Sequence, residues 1–108
     1  MYQKARRSPR FPFIAVAEIV HTGSGGRLSC RVTRLSLYGC YVDVPTTLSA
    51  GHDVSIKIFA ESERFAATAK VVYELANSGM GLAFQEVSVE NQALLARWLL
   101  KAIGGDGL

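Results

Sequence analysis

The chain has 108 residues, 49% of them hydrophobic and 19% charged, a composition that excludes a disordered tail and suits one domain burying roughly two-thirds of its unfolded surface. No apolar run approaches the ~20 residues of a membrane-spanning helix, because Glu18, Lys57, Lys70 and Arg97 interrupt the most hydrophobic segments. The net charge of +3 is uneven: residues 1–34 carry seven bases against Glu18 alone, and residues 35–108 carry five bases and eight acids, so the front of the chain is expected to meet an anionic partner, whether nucleic acid, lipid headgroup or phosphorylated ligand.

Residues 1–12 are read as a basic N-terminal arm and 13–108 as a folded body. Arg6-Arg7 is followed by Pro9, Arg10 and Pro12 rather than by an apolar stretch with a cleavage site, so an export signal is not expected. Two cysteines, Cys30 and Cys40, then read as small buried hydrophobes kept reduced in the cytoplasm. Phe13 to Val20 is apolar and β-branched, predicting a strand buried on both faces or closing a barrel. Thr22-Gly23-Ser24-Gly25-Gly26 reverses the chain, and Leu28, Cys30 and Val32 alternate with Ser29, Arg31 and Thr33 in a second, half-buried strand. After Ser36-Leu37-Tyr38-Gly39 a third strand points Cys40, Val42 and Val44 inward and ends at Pro45; pairing across that turn would make Cys30 and Cys40 neighbours. His21 and His52 read as solvated loop residues.

Val54, Ile56 and Ile58 mark a fourth strand, and Glu61-Ser62-Glu63 turns the chain into a fifth, Phe65 to Tyr73, whose inward positions are Phe65, Ala67, Ala69, Val71 and Tyr73. Asn77-Ser78-Gly79 leads into a sixth, Met80 to Gln85. Ser88 is the N-cap of a helix over 88–103, with Leu95, Trp98, Leu99 and Ala102 on its apolar stripe and Gly104-Gly105 at its end. About six strands at roughly 8 to 12 residue spacing, followed by one amphipathic helix, predict an all-β fold: a six-stranded antiparallel β-barrel with a C-terminal α-helix.

The chemistry concentrates in two places. Arg6, Arg7 and Arg10 put three guanidinium groups within five residues; each is a planar fork that matches phosphate oxygens and a flat face that stacks on purines. Pro9 and Pro12 hold the arm extended, which lowers the entropy lost on binding. The bland reading is a solvated basic tail. The second place is Arg34-Leu35-Ser36-Leu37-Tyr38-Gly39, where Ser36 offers a hydroxyl and Gly39 permits close approach; the bland reading is a commonplace hairpin. No nucleophile, base or metal set suggests an enzyme.

Taken together, Arg6-Arg7-Ser8-Pro9-Arg10, Ser36-Leu37-Tyr38-Gly39 and Gly79-Met80-Gly81-Leu82-Ala83-Phe84 give the chain a form that resembles the PilZ domain, the bacterial receptor module for cyclic di-GMP. Its signature is Arg-Arg-x-x-Arg followed by Asp/Asn-x-Ser-x-x-Gly. The resemblance implies a receptor without cofactor or catalysis, in which Arg6, Arg7 and Arg10 clasp the phosphates and stack on the guanines while Ser36 and Gly39 shape the floor for a base. It also implies a downstream protein partner. Arg34 departs from the pattern. The family's Asp or Asn accepts from guanine N1 and N2, whereas arginine has five donors and no acceptor. Two readings stay open: Arg34 addresses guanine O6 and N7 or a phosphate, or the domain has lost the nucleotide and works as a protein-interaction module in motility or secretion. Nonspecific nucleic-acid binding is less expected, since no aromatic stacking platform stands out in the sequence.

Overall fold

A computed structural model describes residues 10–104 of the chain. Six antiparallel strands, β1 (Phe11–His21), β2 (Arg27–Leu35), β3 (Gly39–Asp43), β4 (Asp53–Ala60), β5 (Glu63–Leu75) and β6 (Gly79–Phe84), precede one helix, α1 (Val89–Gly104). They close into a barrel in the order β1-β2-β3-β6-β5-β4. Closure gives each of these strands a partner on both sides. The interior is filled by the inward half of each alternation, including Ile19, Val32, Val42, Ile56, Ile58, Phe65, Val71 and Leu82, all at most 1% exposed.

α1 plugs one end. Ser88 caps it, its Oγ accepting from the Asn91 N–H at 3.1 Å, and Asn91 Oδ1 accepts the Ala66 N–H at 2.8 Å, tying the first turn to β5. Leu94, Leu95, Trp98 and Leu99 are buried, and the Trp98 ring stacks on Phe13 at 5.4 Å between centroids. A two-pronged Arg97–Glu63 bridge anchors the last turns; the hydrogen bond from Arg97, helped by one from Trp98, holds the Glu63 carboxyl below its usual value.

Three details settle the sequence reading or differ from it. Of the two readings of β1, the structure shows the one that closes a barrel, so β1 is buried on one face only: Ala15, Ala17 and Ile19 point inward, while Ile14 and Val16 stand in solvent. Cys30 and Cys40 are not register partners, since the β2–β3 ladder sets Leu35 opposite Cys40 and the β1–β2 ladder sets Ala17 opposite Cys30, but they lie near enough that, after burial, Cys30 also raises the Cys40 pKa. Both thiols are free, and burial raises the Cys30 pKa to about 11 and that of Cys40 further still. His21, at the end of β1, meets His52, the residue before β4. His21 Nδ1 takes the Ser24 N–H at 3.3 Å and lies 2.8 Å from Ser24 Oγ, and His21 Nε2 and His52 Nδ1 share a hydrogen bond of 2.8 Å.

Candidate functional site

The Ser-x-x-Gly turn is built by its own serine. Ser36, 4% exposed, accepts the N–H groups of Tyr38 and Gly39 at 3.1 and 3.2 Å and donates to the Gly39 carbonyl at 3.3 Å. All of its hydrogen-bonding capacity is spent inside the turn. Gly39 is buried because β6 runs directly against it; a Cβ there would collide with the Leu82 carbonyl. The pair therefore sets the path of the chain from β2 to β3 and with it the position of Arg34.

Arg34 emerges on the outer face through an irregularity. Between Val32 and Arg34 the β2–β3 ladder slips by one residue, and such a bulge inverts the facing of the residues beyond it. Arg34 lands opposite Tyr41 of β3, Tyr41 opposite Gly81 of β6, and Gly81 opposite Tyr73 of β5. The sequence alternation placed Tyr73 inside the barrel. A second bulge between Val71 and Tyr73 turns it out, where it is 36% exposed.

The result is a platform that the sequence reading did not contain. The Tyr41 and Tyr73 rings lie 6.2 Å apart, centroid to centroid, with an interplanar angle of 25°, on either side of β6. They can do so because Gly81 has no side chain; a Cβ there would overlap the Tyr73 ring. Arg10 closes the far end: its Nη1 donates to Tyr73 Oη at 2.9 Å and its guanidinium carbon is 5.8 Å from the ring centroid. Arg34 is exposed and, among the described residues, has no acid partner. Two cationic forks thus bracket two aromatic faces across four strands, an arrangement able to take phosphate oxygens and flat bases together. The sequence signal that was available was the Gly-x-Gly of β6, which marks close approach over a strand.

Of the six residues singled out in the sequence, Arg10 and Arg34 sit at the two ends of this row, Ser36 and Gly39 lie beneath it in the turn, and Arg6 and Arg7 lie outside the described residues. On the other side of the turn, Leu37 and Tyr38 form a wall of a groove of about 520 Å³ that Phe84, Val87 and Leu95 complete. Among the described residues no group of three or more His, Cys, Asp or Glu side chains is placed to hold a metal, and no helix is long and apolar enough to cross a membrane.

The family model described as the PilZ domain matches residues 4–101. Among solved structures, the PilZ domain of YcgR from Escherichia coli with c-di-GMP is similar at a TM-score of 0.76 and 17% identity, over 96% of this chain and 95% of that one. The PilZ domain of CeSA from a cellulose-synthesizing bacterium matches at 0.68 and 18%, over 92% and 99%. The MrkH–c-di-GMP complex of K. pneumonia matches at 0.80 and 18%, over 99% of this chain and 56% of that one. At these identities the likeness is one of fold. No curated protein is matched.

Proposed function

Because the chain belongs to the PilZ domain family, we propose that it is a receptor for cyclic di-GMP and that the ligand lies along the Arg34–Tyr41–Gly81–Tyr73 row. The observation that carries this reading is the Arg10 guanidinium held over Tyr73 at the end of an aromatic row floored by glycine. In this reading Arg10, joined by Arg6 and Arg7 of the arm, holds the phosphates through charge-assisted, two-pronged hydrogen bonds. Tyr41 and Tyr73 supply π faces for guanine. Arg34 takes the place of an acceptor and offers its fork to guanine O6 and N7, the pairing its donors suit. Ser36 and Gly39 act through the turn, by fixing where Arg34 stands. The two similar structures that hold c-di-GMP support the choice of ligand. No step of this reading is catalytic; the output is a changed surface.

Calorimetric titration of the full chain with cyclic di-GMP should give saturable heat. Arg10→Ala and Arg34→Ala should each remove a charged contact worth about 1.5 to 3 kcal/mol, roughly a 10- to 100-fold loss of affinity. Absence of heat at high micromolar ligand would overturn the proposal and favour the second reading, a nucleotide-independent interaction module, for which Arg34's lack of an acceptor is the specific observation. Higher affinity in Arg34→Asp would keep the ligand and remove Arg34 from its contacts.

A further inference from the structure

Across the barrel from β6, the outer faces of β4, β1 and β2 carry a second ordered row. Arg64 of β5 faces Phe59 of β4, Phe59 faces Val16 of β1, and Val16 faces Arg31 of β2. Ile14 extends the apolar part along β1. Ile14, Val16 and Phe59 are 66%, 62% and 42% exposed. They add nothing to the interior, which Ala15, Ala17, Ile19 and Ile58 fill from the same strands, so their burial awaits another molecule.

The two arginines that border this strip are among the bases left without an acid partner in the described part of the domain. Arg27, Lys70, Arg97 and Lys101 each have an acid within 3.2 Å. Among the described residues Arg31 and Arg64 have no ion pair, even though Asp43 stands opposite Arg31 across the ladder, and Lys57, the next outward residue on β4, has none either. Three strand spacings separate Arg31 from Arg64, about 14 Å, which is slightly more than the ~10–12 Å width of an α-helix with its side chains. A helix lying on the strip would set its apolar stripe on Val16, Phe59 and Ile14 and its two edges against the arginines.

We propose that this face binds an amphipathic helix of a partner protein, one whose apolar stripe is edged by aspartate or glutamate. Charge complementarity sets the choice of occupant. The chain's own helix does expose Leu100 and Ile103, but the charges beside them, Arg97 and Lys101, are bases already held by Glu63 and Glu61, so a second copy would bring no free acid to the arginines. Three apolar side chains on a convex barrel are too few to insert into a bilayer with useful strength. The strip lies on the opposite side of the barrel from the tyrosine row, so the inference stands whether or not the chain binds a nucleotide.

The test is an anisotropy titration of the full chain with a labelled synthetic helix whose leucine stripe is edged by glutamates, beside a lysine-edged version and phosphatidylserine-containing vesicles. The glutamate-edged helix should bind saturably and the lysine-edged one should not. The double variant Arg31→Glu/Arg64→Glu should weaken the first by about tenfold or more and gain affinity for the second; Phe59→Ser should weaken both. Thermal melting of each variant checks that the barrel is retained. Failure of the glutamate-edged helix to bind, or binding indifferent to the charge reversal, overturns the proposal. Binding of the vesicles, lost in the double variant, in the absence of peptide binding would assign the face to a membrane surface instead.

Discussion

The two outer faces of the barrel differ in where their ladders slip. On the β4-β1-β2 side the ladder slips only at the start of β1, between Pro12 and Ala15; from Val16 to His21 it is regular, and every second residue faces out. On the β3-β6-β5 side the ladders slip at Val32/Arg34 and at Val71/Tyr73, and each slip delivers to the surface a side chain that strict alternation would bury. Bulges re-aim side chains at the cost of local pairing. Here they gather Arg34 and Tyr73 into one row with Tyr41, whereas Val16 and Phe59 stand on the other face by simple alternation.

The core beneath both faces is shared, so the first way to break the comparison is through the plug. Trp98→Ala removes the largest fully buried side chain, stacked on Phe13 of β1 and packed at 6.4 Å from Phe65 of β5. It should cost about 3 to 5 kcal/mol in chemical denaturation and weaken both faces together; an effect confined to one face would mean that the helix serves only that side. A more selective test is Gly81→Val, whose side chain must displace the Tyr73 ring. The expected loss of stability is about 1 to 3 kcal/mol, with cyclic di-GMP binding lost and the Arg31/Arg64 strip unchanged.

The smallest effect is expected from the two thiols, one under each face. Burial raises the pKa of Cys30 from 9.0 to about 11, so the folded chain holds that proton more tightly than the unfolded one. The corresponding stability is complete below pH 9.0 and declines as pH rises through about 11. Urea midpoints should therefore fall between about pH 8 and about pH 10, and Cys30→Ser should flatten part of that slope. In alkylation at neutral pH both thiols should lag a free cysteine, with Cys30, half-buried, reacting before the fully buried Cys40.

Much of the fold was legible because the signals were local. The alternation of Val54, Ile56 and Ile58, the turn at Glu61-Ser62, whose positive φ values of 52° and 65° suit a two-residue hairpin, and the cap at Ser88 each need only a few consecutive residues. Of the proposed ligand row, the ends, Arg10 and Arg34, stand out in the sequence, as does the neighbouring turn of Ser36 and Gly39. The middle of the row does not. Tyr73 reads as a core residue because the alternation of Phe65, Ala67, Ala69 and Val71 before it is unbroken, and nothing near Val72 announces the extra residue.

The sequence by itself determined the number and order of the strands, the capped helix, the basic front and the Ser-x-x-Gly turn, since each arises from periodicity, backbone preference or charge along the chain. The tertiary structure alone decided which tyrosines face out, why Gly81 must lack a side chain, that His21 meets His52, and that Ile14 and Val16 lie in water. All of these depend on register between strands distant in sequence. A slip of one residue reverses the facing of a side chain while leaving the local pattern of residues unaltered.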